Sequence, residues 1–366
     1  MSQLRHIIGI MSGTSLDGID VALVSLKGQG LDLQVSDVRH ESGSLGPAAE
    51  LLRSLANGKS ATAAEFARAG TQLGQTCSVL TRRILEEATA DLTVVHGQTI
   101  FHHPPYSLQL LDPAPIAEEL NCPVLFNLRG ADLAAGGQGA PITPIADWIL
   151  FRGSQPHSVI NLGGFCNVTH LPDLSGGVES IAAGDVCACN HLLDHAARNL
   201  LDQPFDESGE HASRGKADPD LTDQVSNLMT QHQADRSLGS GDEDLKALDP
   251  LWDCDDSTTA LATLVDVLAR KICHGIPPEQ SKIILAGGGA RNTALVKAIK
   301  KHASSDVCTS DDYGIGVQAR EAVAMAVLGA LAQDGIPITL PQVTRPSSPP
   351  SFDGCWCLPR TIKKPI

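Results

Sequence analysis

Positive charge is scarce in this chain of 366 residues: 27 Lys and Arg stand against 42 Asp and Glu, for a formal net charge of -15 at pH 7, and the basic residues form no run. Proteins that grip a phosphate backbone gather Lys and Arg on one face, so nucleic acid is excluded as an expected partner. No apolar stretch approaches the roughly 20 residues that span a bilayer. Met1-Ser2-Gln3-Leu4-Arg5-His6 leads straight into a strand pattern without the apolar core of a secretion signal. The expectation is a cytoplasmic protein with no membrane partner. Both familiar phosphate loops are missing too, since there is no G-x-x-x-x-G-K-[ST] and no G-x-G-x-x-G opening a helix. The 10 cysteines are scattered, and only Cys187/Cys189 and Cys355/Cys357 fall close together. Their C-x-C spacing is shorter than that of the common zinc knuckles, so the cysteines read as small hydrophobes of a reducing compartment.

What is present suits a soluble globular protein: 42% of residues are hydrophobic and 19% charged. The length allows two domains, each with its own core. The most informative stretch is Ile8-Gly9-Ile10-Met11-Ser12-Gly13-Thr14-Ser15-Leu16-Asp17-Gly18-Ile19-Asp20, in which an apolar run breaks into a small, hydroxyl-rich turn and resumes as Val21-Ala22-Leu23-Val24. Such a hairpin exposes backbone N–H groups, hydroxyls and a carboxylate at its tip, with no bulky side chain in the way. The hydroxyls can donate to phosphate oxygens, and Asp17 can hold magnesium, directly or through water.

The same design returns at Ser158–Thr169, where strand, Gly163-Gly164 turn and strand follow one another. Lys282–Ala286 is a third strand of this kind, delivering Gly287-Gly288-Gly289 onto a helix expected from about Thr293. Between the two patterns the spacing predicts a strand near 31–40 and an amphipathic helix carrying Phe66, Leu73, Cys77, Leu80 and Ile84. A short strand over 92–95 should end at the polar patch His96-Gly97-Gln98-Thr99. His102-His103 reads as a loop, and Gly136–Pro141 as a turn at the crossover. Helices are predicted from about Ser257 and over Val317–Gln333, followed by a Pro- and Ser-rich tail from Pro341 that wraps the surface. The fold class is therefore α/β, with an N-terminal lobe over 1–150 and a C-terminal lobe over 151–366 flanking a nucleotide cleft. Ser12, Gly13, Thr14, Ser15, Leu16, Asp17, Gly18, Ile19, Asp20, Gly163, Gly164, Gly287, Gly288 and Gly289 are the expected ATP contacts, with Mg2+ on Asp17.

The segments 9–20 (GIMSGTSLDGID), 96–99 (HGQT), 108–109 (LQ), 129–141 (RGADLAAGGQGAP), 161–169 (NLGGFCNVT), 287–292 (GGGARN), Glu321-Ala322 and 340–344 (LPQVT) occur in the order and spacing of one family. Over essentially its whole length the chain resembles the anhydro-N-acetylmuramic acid kinases. That resemblance implies two ribonuclease-H-like lobes of the sugar kinase, actin and heat-shock ATPase superfamily. It also implies phosphorylation of 1,6-anhydro-N-acetylmuramic acid at O6 with coupled opening of the anhydro ring, and it suggests a homodimer. By position Asp185 would be the general base that activates water. His96, Arg129 and Glu321 would contact substrate, with Glu321 and Asp17 near metal and sugar, and Asp132 would order its loop. Two substrate-side motifs depart from the family pattern. D-T-G-P-G-N is replaced by Asp185-Val186-Cys187-Ala188-Cys189-Asn190, and K-S-T-G-R-E by Arg236-Ser237-Leu238-Gly239-Ser240-Gly241. Valine and cysteine resist backbone conformations that glycine allows, which leaves two alternatives open. One is a kinase for a different anhydro sugar, and the other a nucleotide-binding protein without turnover.

Overall fold

The computed structural model describes residues 4–13, 16, 18–229, 238–239, 241–347 and 353–360. The chain forms two compact units: unit 1 is Met1–Arg152, Val178–Ala182 and Gly314–Ile366, and unit 2 is Gly153–Gly177 and Ala183–Tyr313.

Unit 1 is built on β1 (Arg5–Ser12), β2 (Ile19–Lys27), β3 (Gln34–Gly43), β4 (Leu92–His103), β5 (Tyr106–Leu110) and β6 (Val124–Phe126). Its sheet has the order β3-β2-β1-β4-β6, extended at one edge by a short C-terminal strand, Cys355–Cys357, while β5 pairs with β4. The first three strands are antiparallel neighbours, whereas β4 runs parallel to β1 and β6 parallel to β4. Strands β1 and β2 are apolar on both faces because both faces are covered. One face packs on α2 (Ala63–Leu85), which follows α1 (Ala49–Ala56) and opens on a capping box of Thr62 and Glu65.

Unit 2 repeats the plan with β7 (His157–Leu162), β8 (Phe165–Leu171), β9 (Ala182–Ala188), β10 (Lys282–Ala286) and β11 (Asp306–Thr309) in the order β9-β8-β7-β10-β11. Here β7 and β8 are antiparallel, and β10 runs parallel to both β7 and β11. If the strands of each unit are numbered along the chain, with the β4–β5 hairpin counted once, both sheets read 3-2-1-4-5. This is the ribonuclease-H-like order.

Two expectations need correction. Residues 314–366 cluster with unit 1 and not with the rest of 151–366. The cause is the helix Arg320–Gln333, an Ala-rich segment buried almost all round that packs on the unit 1 sheet. It approaches so closely that a Cβ on Gly9 would lie 1.8 Å from the Ala322 carbonyl oxygen, and one on Gly329 2.2 Å from Val94 Cγ2. Second, His96–Thr99 is not the end of a strand, and His102-His103 is not a loop. Strand β4 continues to His103 because its second half leaves β1 and forms an antiparallel hairpin with β5. The helix expected from about Thr293 is present, and Gly287–Gly289 leads into it. A 3-10 turn over Gly288–Arg291 intervenes, and the helix Thr293–His302 is capped by Asn292, whose side chain accepts from the Leu295 N–H. The tail also does more than cover the surface, since Cys355–Cys357 pairs antiparallel with β6.

Candidate active site

In unit 1 the β1–β2 register closes at Ser12 and Ile19, leaving residues 13–18 as the connection. Thr14, Ser15 and Asp17 lie outside the described residues, so the expected magnesium ligand does too. The flanks of the turn are held from the HGQT segment. Gln98, fully buried, sits opposite Ser12 across the parallel β1–β4 pair. Its Oε1 accepts from Ser12 Oγ at 2.5 Å, and its Nε2 donates to the Gly13 carbonyl at 3.1 Å. Leu16, at φ 56°, turns its N–H back to Gly13 O at 3.2 Å, and Arg53 donates to Leu16 O at 3.1 Å. Gln98 and Arg53 are thus two supports of the hairpin that sequence reasoning missed. The HGQT segment was a signal for the first; nothing pointed to the second.

His96 and Arg129 also come together. Arg129 lies just before α4 (Gly130–Ala134), beyond α3 (Ala114–Leu120). Its Nε donates to His96 Nε2 at 3.0 Å and its Nη1 to the Gly139 carbonyl at 2.6 Å. The other ring nitrogen, His96 Nδ1, lies 2.9 Å from Gly97 O. A carbonyl can only accept, so Nδ1 carries the proton and Nε2 is a lone-pair acceptor. Both nitrogens are therefore engaged within the fold. His96, expected on the substrate side, is set to hold Arg129. Burial, helped by the neighbouring guanidinium, pushes its pKa down to about 3. Because the folded value lies below the unfolded value of about 6.5, the unfolded chain binds the extra proton as pH falls. His96 alone then removes about 2 kcal/mol of stability by pH 5. Urea unfolding at pH 7.5 and pH 5.0 is expected to show this loss in the wild type and a smaller one in His96→Gln. Equal losses in the two proteins would contradict the assignment.

The first turn of the helix Arg320–Gln333 brings in Glu321. Burial raises its pKa, against the opposing charge of Arg320, and the carboxylates of Asp20 and Asp147 raise it further. Arg320 and Asp147 are a buried pair, with Nε to Oδ1 at 2.9 Å and a second, close Nη2–Oδ2 contact. Nη2 also lies 3.2 Å from Thr143 Oγ1. Asp147 stands on α5 (Pro144–Phe151); burial is the largest influence on Arg320 and lowers its pKa, but the charge and hydrogen bond of Asp147 together with the Glu321 carboxylate hold it above the ordinary value. Asp20, at the start of β2, accepts from Ser42 Oγ at 2.6 Å and contacts His40 Nε2 at 2.9 Å. Among the described residues no three or more His, Cys, Asp or Glu side chains group as a metal site.

In unit 2 the Gly163-Gly164 turn joins β7 to β8 and is docked on the start of α6 (Asn190–Leu201). The N–H groups of Cys189 and His191 donate to Gly164 O, and that of Asn190 to Gly163 O. Asn190 Nδ2 donates to Leu162 O at 3.1 Å. A Cβ on Gly164 would lie 2.5 Å from His191 Nε2 and displace that ring, which meets Phe165 edge to face at 4.9 Å. The second glycine turn packs here as well. A Cβ on Gly287 would lie 2.6 Å from Asn161 Oδ1 and one on Gly289 2.7 Å from Asn190 Oδ1, whereas Gly288 faces open space. The structure thus brings Gly163, Gly164, Gly287, Gly288 and Gly289 together.

Asp185 lies on β9, which leads directly into α6. Its Oδ2 accepts from the Leu238 N–H at 2.6 Å, so the two segments that depart from the family pattern meet each other. Cys187 and Cys189 fill the core behind it. Burial lifts the Cys187 thiol to about 12 and that of Cys189 well above its ordinary value, so both are uncharged packing groups.

The family model described as anhydro-N-acetylmuramic acid kinase matches residues 5–355. A Salinibacter ruber relative of that name is 33% identical over 374 residues, covering 94% of each chain. Another from Synechococcus elongatus is 32% identical, covering 94% of this chain and 97% of its own. Among solved structures, the ADPNP-bound activator of the 2-hydroxyisocaproyl-CoA dehydratase from Clostridium difficile aligns over 90% of this chain at 12% identity and a TM-score of 0.44, too distant to bear on the site. With one family model spanning nearly every residue and relatives of that same name matching end to end, the chain belongs to the anhydro-N-acetylmuramic acid kinase family.

Proposed function

We propose that this chain transfers the γ-phosphoryl group of ATP to O6 of 1,6-anhydro-N-acetylmuramic acid while water opens the anhydro ring, giving N-acetylmuramic acid 6-phosphate for cytoplasmic cell-wall sugar recycling. Water attacks C1 as Asp185 takes its proton. The C1–O6 bond breaks, O6 attacks the γ-phosphorus, and ADP departs. Atoms and charge balance with one water consumed.

The observation that carries the reading is the carboxylate of Asp185. It is oriented by the Leu238 N–H, on the strand whose continuation is bonded to the Gly163-Gly164 turn. Base and glycine turn are therefore parts of one braced element, as positioning of a nucleophile requires. Within unit 2, Gly163, Gly164 and the Gly287–Gly289 turn are the proposed nucleotide contacts. Within unit 1, the hairpin 12–20 is the proposed phosphate cradle, and Arg129 the cation that meets substrate or phosphate. Asp17 is the proposed holder of Mg2+, directly or through water, and Glu321 the proposed substrate contact near it. When bound, the ion would neutralise charge on the phosphates.

The test is ADP release with ATP, Mg2+ and a panel of anhydro and ordinary sugars. Turnover confined to anhydro-N-acetylmuramic acid is expected. Turnover with levoglucosan or a hexose instead would assign a different substrate, and tight ATP binding without sugar-dependent release would reject the kinase reading.

A further inference from the structure

The C-terminal segment 340–347 carries a motif that the reaction does not use, yet two of its residues are fastened to the loop that holds Arg129. Thr344 lies in α12 (Pro341–Thr344), which follows α11 (Arg320–Gln333). Three helices of unit 2, α7 (Glu210–Arg214), α8 (Pro219–Leu228) and α9 (Ser257–His274), precede α10 (Thr293–His302). The Thr344 hydroxyl donates to Asp132 Oδ1 at 2.6 Å. Asp132 Oδ2 accepts from the Gly139 N–H at 2.7 Å, and the Gly139 carbonyl accepts from Arg129 Nη1 at 2.6 Å. Thr344 and Asp132 are both fully buried, so no water competes for the bond between them. The backbone is tied as well, with Gln138 N–H to Thr344 O at 2.8 Å and Ser347 N–H to Ala135 O at 2.8 Å. Close packing leaves the loop little latitude: a Cβ on Gly137 would lie 2.2 Å from Asp132 Oδ2, and Gly139 stands at φ 66°.

We infer that Thr344 is a positioning residue for Arg129, acting through Asp132 and the Gly139 peptide. The role rests on the proposed function only in that Arg129 meets substrate or phosphate. Removing the hydroxyl leaves a buried carboxylate oxygen short of a donor. The Asp132 carboxylate that accepts from the Gly139 N–H is then less firmly fixed, and with it the Gly139 carbonyl on which Arg129 Nη1 is bonded.

The activity-independent test uses 15N-arginine labelling. The Arg129 Nη–H resonances are identified by their loss in Arg129→Lys, and their exchange with solvent is measured. Thr344→Val is expected to speed that exchange at least tenfold and Thr344→Ser to leave it within about twofold. An unchanged rate in Thr344→Val would overturn the inference, and where that variant fails to fold Thr344→Ala serves in its place. The same variants are then assayed for kcat/KM with anhydro sugar. Thr344→Val is expected to cost at least tenfold in the wild-type background and less than about twofold on Arg129→Ala, because the effect runs through Arg129. Equal losses in both backgrounds would contradict it. A wild type without turnover would reject the proposed substrate while leaving the exchange result to decide the role of Thr344.

Discussion

Asp185→Asn is expected to lower kcat by about 10³-fold, within the range that a positioned general base contributes, and to leave ATP affinity within about twofold. Asparagine keeps the shape of the side chain, and its carbonyl oxygen can still accept from the Leu238 N–H that orients Asp185 Oδ2. What it lacks is the capacity to take a proton from water. Stopped reactions with anhydro-N-acetylmuramic acid measure the first quantity and titration with ATP the second. Activity retained within about tenfold would show that another group accepts the proton.

The second large effect concerns folding. Asp147→Ala leaves the guanidinium of Arg320 buried without its counter-charge, in a site where Arg320 is 1% exposed and Asp147 0%. Breaking a buried pair from one side costs about 3–5 kcal/mol, because the remaining charge is uncompensated. Replacing both partners with apolar groups of similar volume, Asp147→Leu with Arg320→Met, is expected to recover most of that loss, since no buried charge remains. Urea unfolding of the two variants and the wild type measures it. A loss below about 1 kcal/mol in Asp147→Ala would show that the pair does not hold α11 against α5.

The strands and long helices were legible in the sequence because local periodicity decides them. Expected strands at 6–26 and 282–286 appear as β1, β2 and β10, and the helix through Phe66 and Ile84 appears as α2. Long-range relations were not. Nothing local says that the helix expected over 317–333, which begins at Arg320, folds onto the N-terminal sheet, since that depends on Gly9 and Gly329 admitting its backbone. The same limit applied at the site. HGQT could be seen as a polar patch, but not that Gln98 spans 86 residues to hold Ser12 or that His96 spends both ring nitrogens inside the fold. The eroded motifs at 185–190 and 236–241 were each visible. Their meeting, Asp185 to Leu238, required the fold.

The most direct measurement is the reaction run in water enriched in oxygen-18, with the sugar phosphate analysed by mass spectrometry. If water opens the ring at C1 while the original bridging oxygen becomes O6 of the phosphate ester, one labelled oxygen appears at C1 and none in the phosphate. Label in the phosphate, or a phosphorylated product that keeps the anhydro bridge intact and unlabelled, would contradict the account.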